Sequence, residues 1–526
     1  MKAFTEPLLS LAGFEEMTKT AEKSSGLISV TGCIDAQKSQ MIYAFGGHRK
    51  NKLIVTFGEQ KAKELYDEYS FFDKEVVYYP SKDVLFYQSD IRGNLLTAER
   101  IRALKAIREQ ERVTLVTTFD ALMNTMAPIE KMWENVLTLE QGQLLDLKEI
   151  QAALIRMGYE KEYQVQTMGQ FSVRGGILDV FPLTEENPIR IELWGDEIDT
   201  IRYFDCESQK SIENIDRVSI YPAAELVLSD EEKAGGIDKL KAEAKRVSDK
   251  LRKQMKTEEA HRVTVMADEL TEEWGELSMY AGMDAFLSYF FDERVGLLDY
   301  FNPSDSLIFF DELTRCAEQG KLTETEFSES MKQRLAMGYI LPGQMNGLFT
   351  EKEIVAKLEK YSCIALGALD NKANGLHQLG SYGIHCQSVS PYNNSFELLI
   401  KDLKRYKKNG YRVILLSGSR TRAKRLSEDI TDQGITCFYT ENYDHELSEG
   451  QIMVCYGKVR RGFEYPILKF AVITESDIFG AQQKKKKRHR TYEGEKIQSF
   501  TDLSVGDYVV PVSYTHLRAH ETEADL

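Results

Sequence analysis

The octapeptide Gly32-Cys33-Ile34-Asp35-Ala36-Gln37-Lys38-Ser39 directly follows a short apolar run, Leu27-Ile28-Ser29-Val30. A phosphate-binding loop needs GxxxxGK[ST], whose glycines let backbone N–H groups wrap the phosphates while the lysine neutralises them. Gly32, Lys38 and Ser39 stand in the required places, but Gln37 replaces the second glycine and Asp35 puts a negative charge inside the anion site. A side chain at position 37 crowds the turn that would hold the phosphates. Much later, the apolar run Leu307 to Phe310 ends in Asp311-Glu312, as does the strand that binds magnesium and positions water in ATPases of this loop class. The expectation is a vestigial lobe, with Gly32, Lys38, Ser39, Asp311 and Glu312 as a degenerate phosphate loop and no catalytic residue. The alternative is an active nucleotidase that uses Lys38 with Asp311.

A second set of candidates is suited to binding. With a period of two, Ile189, Ile191 and Leu193 share one strand face and leave Arg190, Glu192 and Trp194 on the other. Arg174, in the turn Val173-Arg174-Gly175-Gly176, can join them. Arginine and tryptophan side by side on an exposed sheet face are the residue types that dominate protein interfaces. The competing reading packs Trp194 under a loop and pairs the arginines with local acids. A third feature, the basic run Lys484 to Arg490, reads as a solvated linker, with nucleic-acid contact as its alternative. The seven cysteines stand singly and the eight histidines form no HxxxH or HExxH spacing, so no metal ligand set is expected.

These residues must be positioned by alternating strands and helices. Strands are expected at Leu27–Val30, Leu53–Phe57, Val76–Tyr79 and Val113–Thr117, with helices over 37–45, 59–69 and about 97–110. That alternation predicts α/β architecture, a parallel sheet covered by helices, with its ligand edge at the strands' carboxyl ends. From Phe171 to Tyr221 short strands and turns predict a small inserted α+β domain, with Gly195-Asp196 as a two-residue hairpin turn. Residues 226–255 predict a charged helix with Leu240, Ala244, Val247, Leu251 and Met255 on one face. A further small α/β unit is expected from about residue 371, with strands at 412–416, 435–439, 452–456 and 470–474 and a helix over 421–433.

The chain has 526 residues, 67 Lys+Arg and 83 Asp+Glu, hence a net charge of −16. That length predicts three or four domains. The acidic balance argues against a surface that binds DNA throughout. No run of about 18 uncharged apolar residues exists and the N-terminus turns acidic too early for a signal peptide, so a cytoplasmic protein without membrane contact is expected.

The stretch from Gly169 to Pro182, with Val173-Arg174-Gly175-Gly176-Ile177-Leu178-Asp179-Val180-Phe181-Pro182 at its end, precedes Ile189-Arg190-Ile191-Glu192-Leu193-Trp194-Gly195-Asp196-Glu197-Ile198-Asp199. Together they closely resemble the segment shared by the excision-repair subunit UvrB and the bacterial transcription-repair coupling factors (Mfd). Arg461-Gly462-Phe463-Glu464-Tyr465-Pro466 and Ala471 to Gly480 are similar to the third domain of the coupling factors. The broken phosphate loop fits the same choice, since UvrB keeps an intact one. So does the short passage from Tyr78-Tyr79-Pro80 to Arg100, which leaves no room for UvrB's DNA-gripping hairpin.

The resemblance implies UvrB-like domain 1a over 1–126, a UvrA-binding domain 2 over 127–222, domain 1b over 223–370 and domain 3 over 371–482. It further implies a basic linker over 483–499 and the start of an RNA-polymerase-interacting domain over 500–510. It marks Arg174, Arg190 and Trp194 as the UvrA contact. The complete family is implied to be an ATP-driven translocase on double-stranded DNA that displaces stalled RNA polymerase and recruits UvrA. Its ATP and magnesium belong to motor lobes beyond residue 510, so this chain alone is expected to be inactive and without cofactor. A UvrB-like DNA-binding repair protein is the alternative. Residues 511–526 lack the family's glycines and any apolar periodicity; they are expected to be non-native, and everything from about residue 484 to be disordered.

Overall fold

The computed structural model describes residues 1–45, 49–82, 94–276, 282–369, 375–480, 508–509 and 522–523. Residues 1–480 form one compact unit and 481–526 another. In the second unit the described residues are an antiparallel pair, Tyr508–Val509 with Thr522–Glu523. The basic run 484–490 and the rest of the tail lie outside the described residues.

The first sheet has seven strands in the order Gln378–Gly383, Gly26–Thr31, Ser362–Leu366, Ser306–Asp311, Asn51–Thr56, Val113–Thr118 and Val77–Tyr79. Every neighbouring pair is parallel. Its central strands are buried on both faces, and they therefore read as continuous apolar runs without alternation. The helix Asp35–Phe45 follows the first strand and buries Ala36 to Ile42 without a break. Gln37, Lys38, Ser39 and Gln40 are thus polar side chains that need internal partners.

One strand departs from expectation. Gln378–Gly383 pairs with Gly26–Thr31 at the sheet edge, beyond residue 371, where a new unit was expected to open. Its sequence, QLGSYG, is largely exposed and carries no apolar signal, which is characteristic of a protected edge.

The inserted domain holds a six-stranded sheet in the order Ser211–Ile215, Glu197–Phe204, Ile189–Trp194, Ile177–Val180, Gln170–Arg174 and Glu160–Lys161. Helix Leu147–Arg156 and the pair Leu137–Glu140 with Arg217–Ile220 accompany it. Phe171, Leu178, Val180, Ile189, Ile191 and Ile201 fill its core. The expected hairpin forms, with Trp194 opposite Glu197 and Gly195 at φ +65, a backbone state that glycine adopts without strain.

The charged segment forms helix Asp230–Lys253, begun by a capping box of Ser229 with Glu232. It pairs with Thr257–Glu276 around the buried Trp274. Leu240, Ala244 and Leu251 are buried as expected. Met255 is not: it lies past the helix at φ +61 and is 88% exposed, because the turn between the two helices overrides the periodicity.

The second α/β sheet runs Gln387–Ser388, Phe463–Tyr465, Phe470–Thr474, Arg412–Ser417, Ile452–Tyr456 and Phe438–Tyr439. The strand expected over 435–439 is confined to its last two residues. One apolar core takes side chains from both α/β sheets, including Ile28, Phe309, Ile414, Met453 and Phe470.

A buried charged network joins the first lobe to the segment leaving the inserted domain. Arg100 is fully buried; its Nε donates to Glu225 at 2.6 Å, its Nη1 to the Pro80 carbonyl at 2.6 Å, and its Nη2 to the Tyr79 hydroxyl. Lys82 bridges Glu225 at 3.1 Å and Asp284 at 2.6 Å. Burial opposes the Glu225 charge, but Arg100 and Lys82 outweigh it and hold its carboxyl down at about 2 against an ordinary 4.5. Glu225→Gln strands a buried guanidinium and is expected to cost about 3–5 kcal/mol at neutral pH, read as a lower urea midpoint. Because the folded value is depressed, this contribution is complete above pH 4.5 and is lost as pH falls through about 2. The midpoints of wild type and variant should therefore converge on acidification; equal midpoints at pH 7 would contradict the assignment.

Candidate functional site

The phosphate-loop residues converge at the carboxyl ends of four adjacent strands. Lys38 is fully buried and its Nζ donates to Asp311 at 2.5 Å, Glu312 at 2.7 Å and Asp35 at 3.3 Å. Thr56 Oγ1 donates to the second Asp311 oxygen at 3.0 Å, the Ala368 N–H donates to Glu312 at 3.2 Å, and Lys61 pairs with Asp35 at 3.0 Å. Burial works against the Lys38 charge, but Asp311 and Glu312 overcome it and raise its pKa above the usual value.

Two backbone N–H groups at the start of the loop are also engaged. The Gly32 N–H donates to the Ala368 carbonyl at 3.2 Å, and the Cys33 N–H to the Gly367 carbonyl at 3.0 Å. Gly32 itself is required for another reason, since at φ +78 an added Cβ would come within 2.1 Å of the Ile384 carbonyl oxygen. Gln37, where a phosphate loop needs glycine, is buried and accepts from the Tyr465 hydroxyl at 3.0 Å. Ser39, in the magnesium-binding place, has Glu68 as its hydrogen-bond partner at 3.5 Å. Burial pushes that carboxyl up to about 7.

Asp35, Asp311 and Glu312 bring carboxylate oxygens within 4.8 Å of one another, yet the Lys38 ammonium already lies among them. The surroundings of the loop thus comprise two lysines against three carboxylates, with the amides of Gly32 and Cys33 already bonded. That arrangement does not fit a nucleotide with its magnesium. Lys38→Met should leave the three carboxylates facing each other and cost about 3–5 kcal/mol, read by urea denaturation at pH 7. The deficit should shrink in acid, where protonation relieves the repulsion. In wild type, the Lys38 contribution holds through neutral pH and is lost only as pH rises through its raised, alkaline value.

The binding candidates lie on the outer face of the inserted sheet. Asp179 is directly opposite Arg190, and Arg190 opposite Arg202, across three neighbouring strands. Asp179 is buried and accepts from Arg190 Nε at 2.7 Å, Arg190 Nη2 at 2.8 Å and Arg174 Nη2 at 2.9 Å. Gln209 Oε1 accepts from Arg190 Nη2 at 2.8 Å, and the guanidinium lies 4.4 Å from the Phe204 ring centroid. One buried carboxylate thereby fixes two arginines in place. Arg202 is held in the same row by Glu192.

Trp194 sits at the hairpin tip and is 85% exposed, so the reading that packs it beneath a loop does not hold. The reading that pairs the arginines with local acids does hold for Arg174 and Arg190, although Arg174 remains about a third exposed. The structure thus brings the two arginines together and sets Trp194 on the same face. Residue type and spacing assign Asp179 no role, although a carboxylate between Leu178 and Val180 in an apolar strand requires a buried partner. Arg202, Gln209 and Phe204 gave no comparable signal.

The architecture is that of a multidomain α/β protein with an inserted small domain, and residues 137–226 match the UvrB interaction domain. Over most of its length the chain is similar to the transcription-repair-coupling factors. It is 28% identical over 464 residues to that of Bacillus subtilis, covering 88% of this chain and 39% of the relative. The factor of Staphylococcus haemolyticus is 28% identical over 499 residues, 93% of this chain and 41% of its own. That of Staphylococcus aureus strain MRSA252 is 27% identical over 516 residues, 95% and 42%. The chain spans about two fifths of the length of these curated relatives, and the similarity supports an N-terminal portion of such a factor.

Proposed function

We propose that this chain serves transcription-coupled excision repair by recruiting UvrA through Arg174, Arg190 and Trp194. The observation that carries the reading is the Arg174–Asp179–Arg190 cluster beside an exposed tryptophan, on the outer face of a domain that matches the UvrB interaction domain. Asp179 holds the guanidinium planes in one orientation, which lowers the entropy lost when their remaining donors meet partner carboxylates. Trp194 supplies a large apolar anchor.

The first lobe acts in this reading as a scaffold that binds no nucleotide, supported by the saturated Lys38 and the engaged Gly32 and Cys33 amides. Contact with RNA polymerase and ATP-driven movement on double-stranded DNA are proposed for the complete factor and assigned to none of the residues described. A cytoplasmic location follows from this role; among the described residues no helix is long and apolar enough to cross a membrane.

Two measurements test the proposal. In calorimetry with purified UvrA, Trp194→Ala and Arg190→Ala should each cost ~2 kcal/mol or more, roughly thirtyfold in affinity. Trp194→Ala is the cleaner of the two, because so exposed a side chain contributes little to folding. Unchanged affinity in both variants would sink the recruitment reading. Titration of ATP with magnesium should give no saturable heat, whereas saturable binding that Lys38→Ala abolishes would restore the nucleotidase reading.

A further inference from the structure

Trp194 borders a groove of about 750 Å³, lined by Glu140, Glu197, Asp199, Asp216 and Arg217. Arg217 pairs with Glu140 at 3.1 Å. Glu197, Asp199 and Asp216 make no side-chain ion pair or hydrogen bond among the described residues. The lining therefore carries four carboxylates against one guanidinium, a net charge of −3.

Hydrogen bonds tie the groove's backbone segments together. The Gln141 N–H donates to the Asp216 carbonyl at 2.9 Å, the Gly142 N–H to Ile198 at 2.8 Å, and the Ile198 N–H to Gln143 at 2.9 Å. Gln141 Nε2 also donates to the Asp199 carbonyl at 2.8 Å. The three backbone segments forming it are thus tied to one another, and the shape exists before any partner arrives.

Two exposed apolar side chains flank this acidic lining. Glu197 is paired with Trp194 on one side and bridged to Leu144 on the other, and those residues are 85% and 75% exposed. Scattered exposed apolar residues are ordinary, but a tryptophan and a leucine on either side of a preformed groove with unpaired acids are a docking arrangement.

We propose that this groove takes a basic segment of the partner protein, one or more lysines or arginines entering among Glu197, Asp199 and Asp216 while apolar neighbours cover Trp194 and Leu144. The inference rests on the recruitment reading above and extends it. Trp194 then belongs both to the strand that carries Arg190 and to the acidic groove, and the partner presents acidic groups to the arginines and basic groups to the groove. Such a charge pattern fixes orientation more than it adds affinity.

The test is the affinity of the whole chain for UvrA at 50 and 300 mM salt, with the double variant Asp199→Lys/Asp216→Lys. These carboxylates are unpaired, so the thermal melt should be unchanged. The expected result is at least tenfold weaker binding at low salt, narrowing at high salt as screening takes over, with Asp199→Asn/Asp216→Asn falling between. Wild-type affinity in the double-lysine variant, while Trp194→Ala weakens binding, overturns the groove and leaves the recruitment reading standing. Weaker binding by the lysine variant and by Trp194→Ala, with Arg190→Ala unchanged, supports the groove and removes the arginines from the contact. No binding by the wild-type chain overturns both.

Discussion

A buried ammonium at the carboxyl edge of the first sheet is the constraint around which this structure is arranged. Lys38 lies among Asp311, Glu312 and Asp35, where four strands end together. In a parallel sheet that edge collects helix N-termini and free amides, which favour an anion. Here the anion is supplied by the protein's own carboxylates. Removing Lys38 from water carries a large desolvation penalty, which only close, hydrogen-bonded partners offset. Thr56, Ala368 and Lys61 complete those partners. The first strand, Ser306–Asp311 and Asn51–Thr56 are thereby locked in register at the position where a working ATPase must keep a vacancy.

The same helix explains why the departure from the phosphate-loop pattern is more than a loss. Gln37 and Gln40 both face Tyr465, whose hydroxyl is shared between their side-chain oxygens at 3.0 and 3.2 Å. Gln40 also donates to the Phe4 carbonyl at 2.5 Å. Arg460 extends the joint by pairing with Glu64 at 2.5 Å while its N–H donates to Glu68. A glycine at position 37 would remove part of the contact with the second α/β sheet. Gln37, where a phosphate loop needs glycine, thus serves an internal interface. The shared apolar core gives the same result, since Ile28 and Phe309 pack in one cluster with Ile414 and Phe470.

Much of this was legible in the sequence because it depends on local pattern. Continuous apolar runs marked the central strands, the Gly195-Asp196 pair marked the hairpin, and period-two alternation set Arg190 and Trp194 on one face. What escaped notice depends on tertiary partners. Met255 satisfies a helical stripe but lies in the turn that lets two helices return on each other. Gln378–Gly383 carries no apolar signature because one face of an edge strand meets solvent. Asp179 could be flagged as a carboxylate needing a partner, but that it meets two arginines follows only from the register of three strands. The role of Gln37 is set by Tyr465, which is 428 residues away and has no local trace.

The distribution of charge on the inserted domain follows from how its carboxylates are used. Asp179 is buried between Arg174 and Arg190, so it orders the outer face and leaves one net positive charge across the three groups. Glu197, Asp199 and Asp216 are left without cations, so the neighbouring groove keeps its full negative charge. The chain's net −16 is a sum over such regions and hides the contrast between them. A partner of uniform charge would be attracted by one of these two features and repelled by the other. In the proposed docking a surface carrying both signs of charge suits arginines and groove together, with the exposed indole of Trp194 as its apolar anchor.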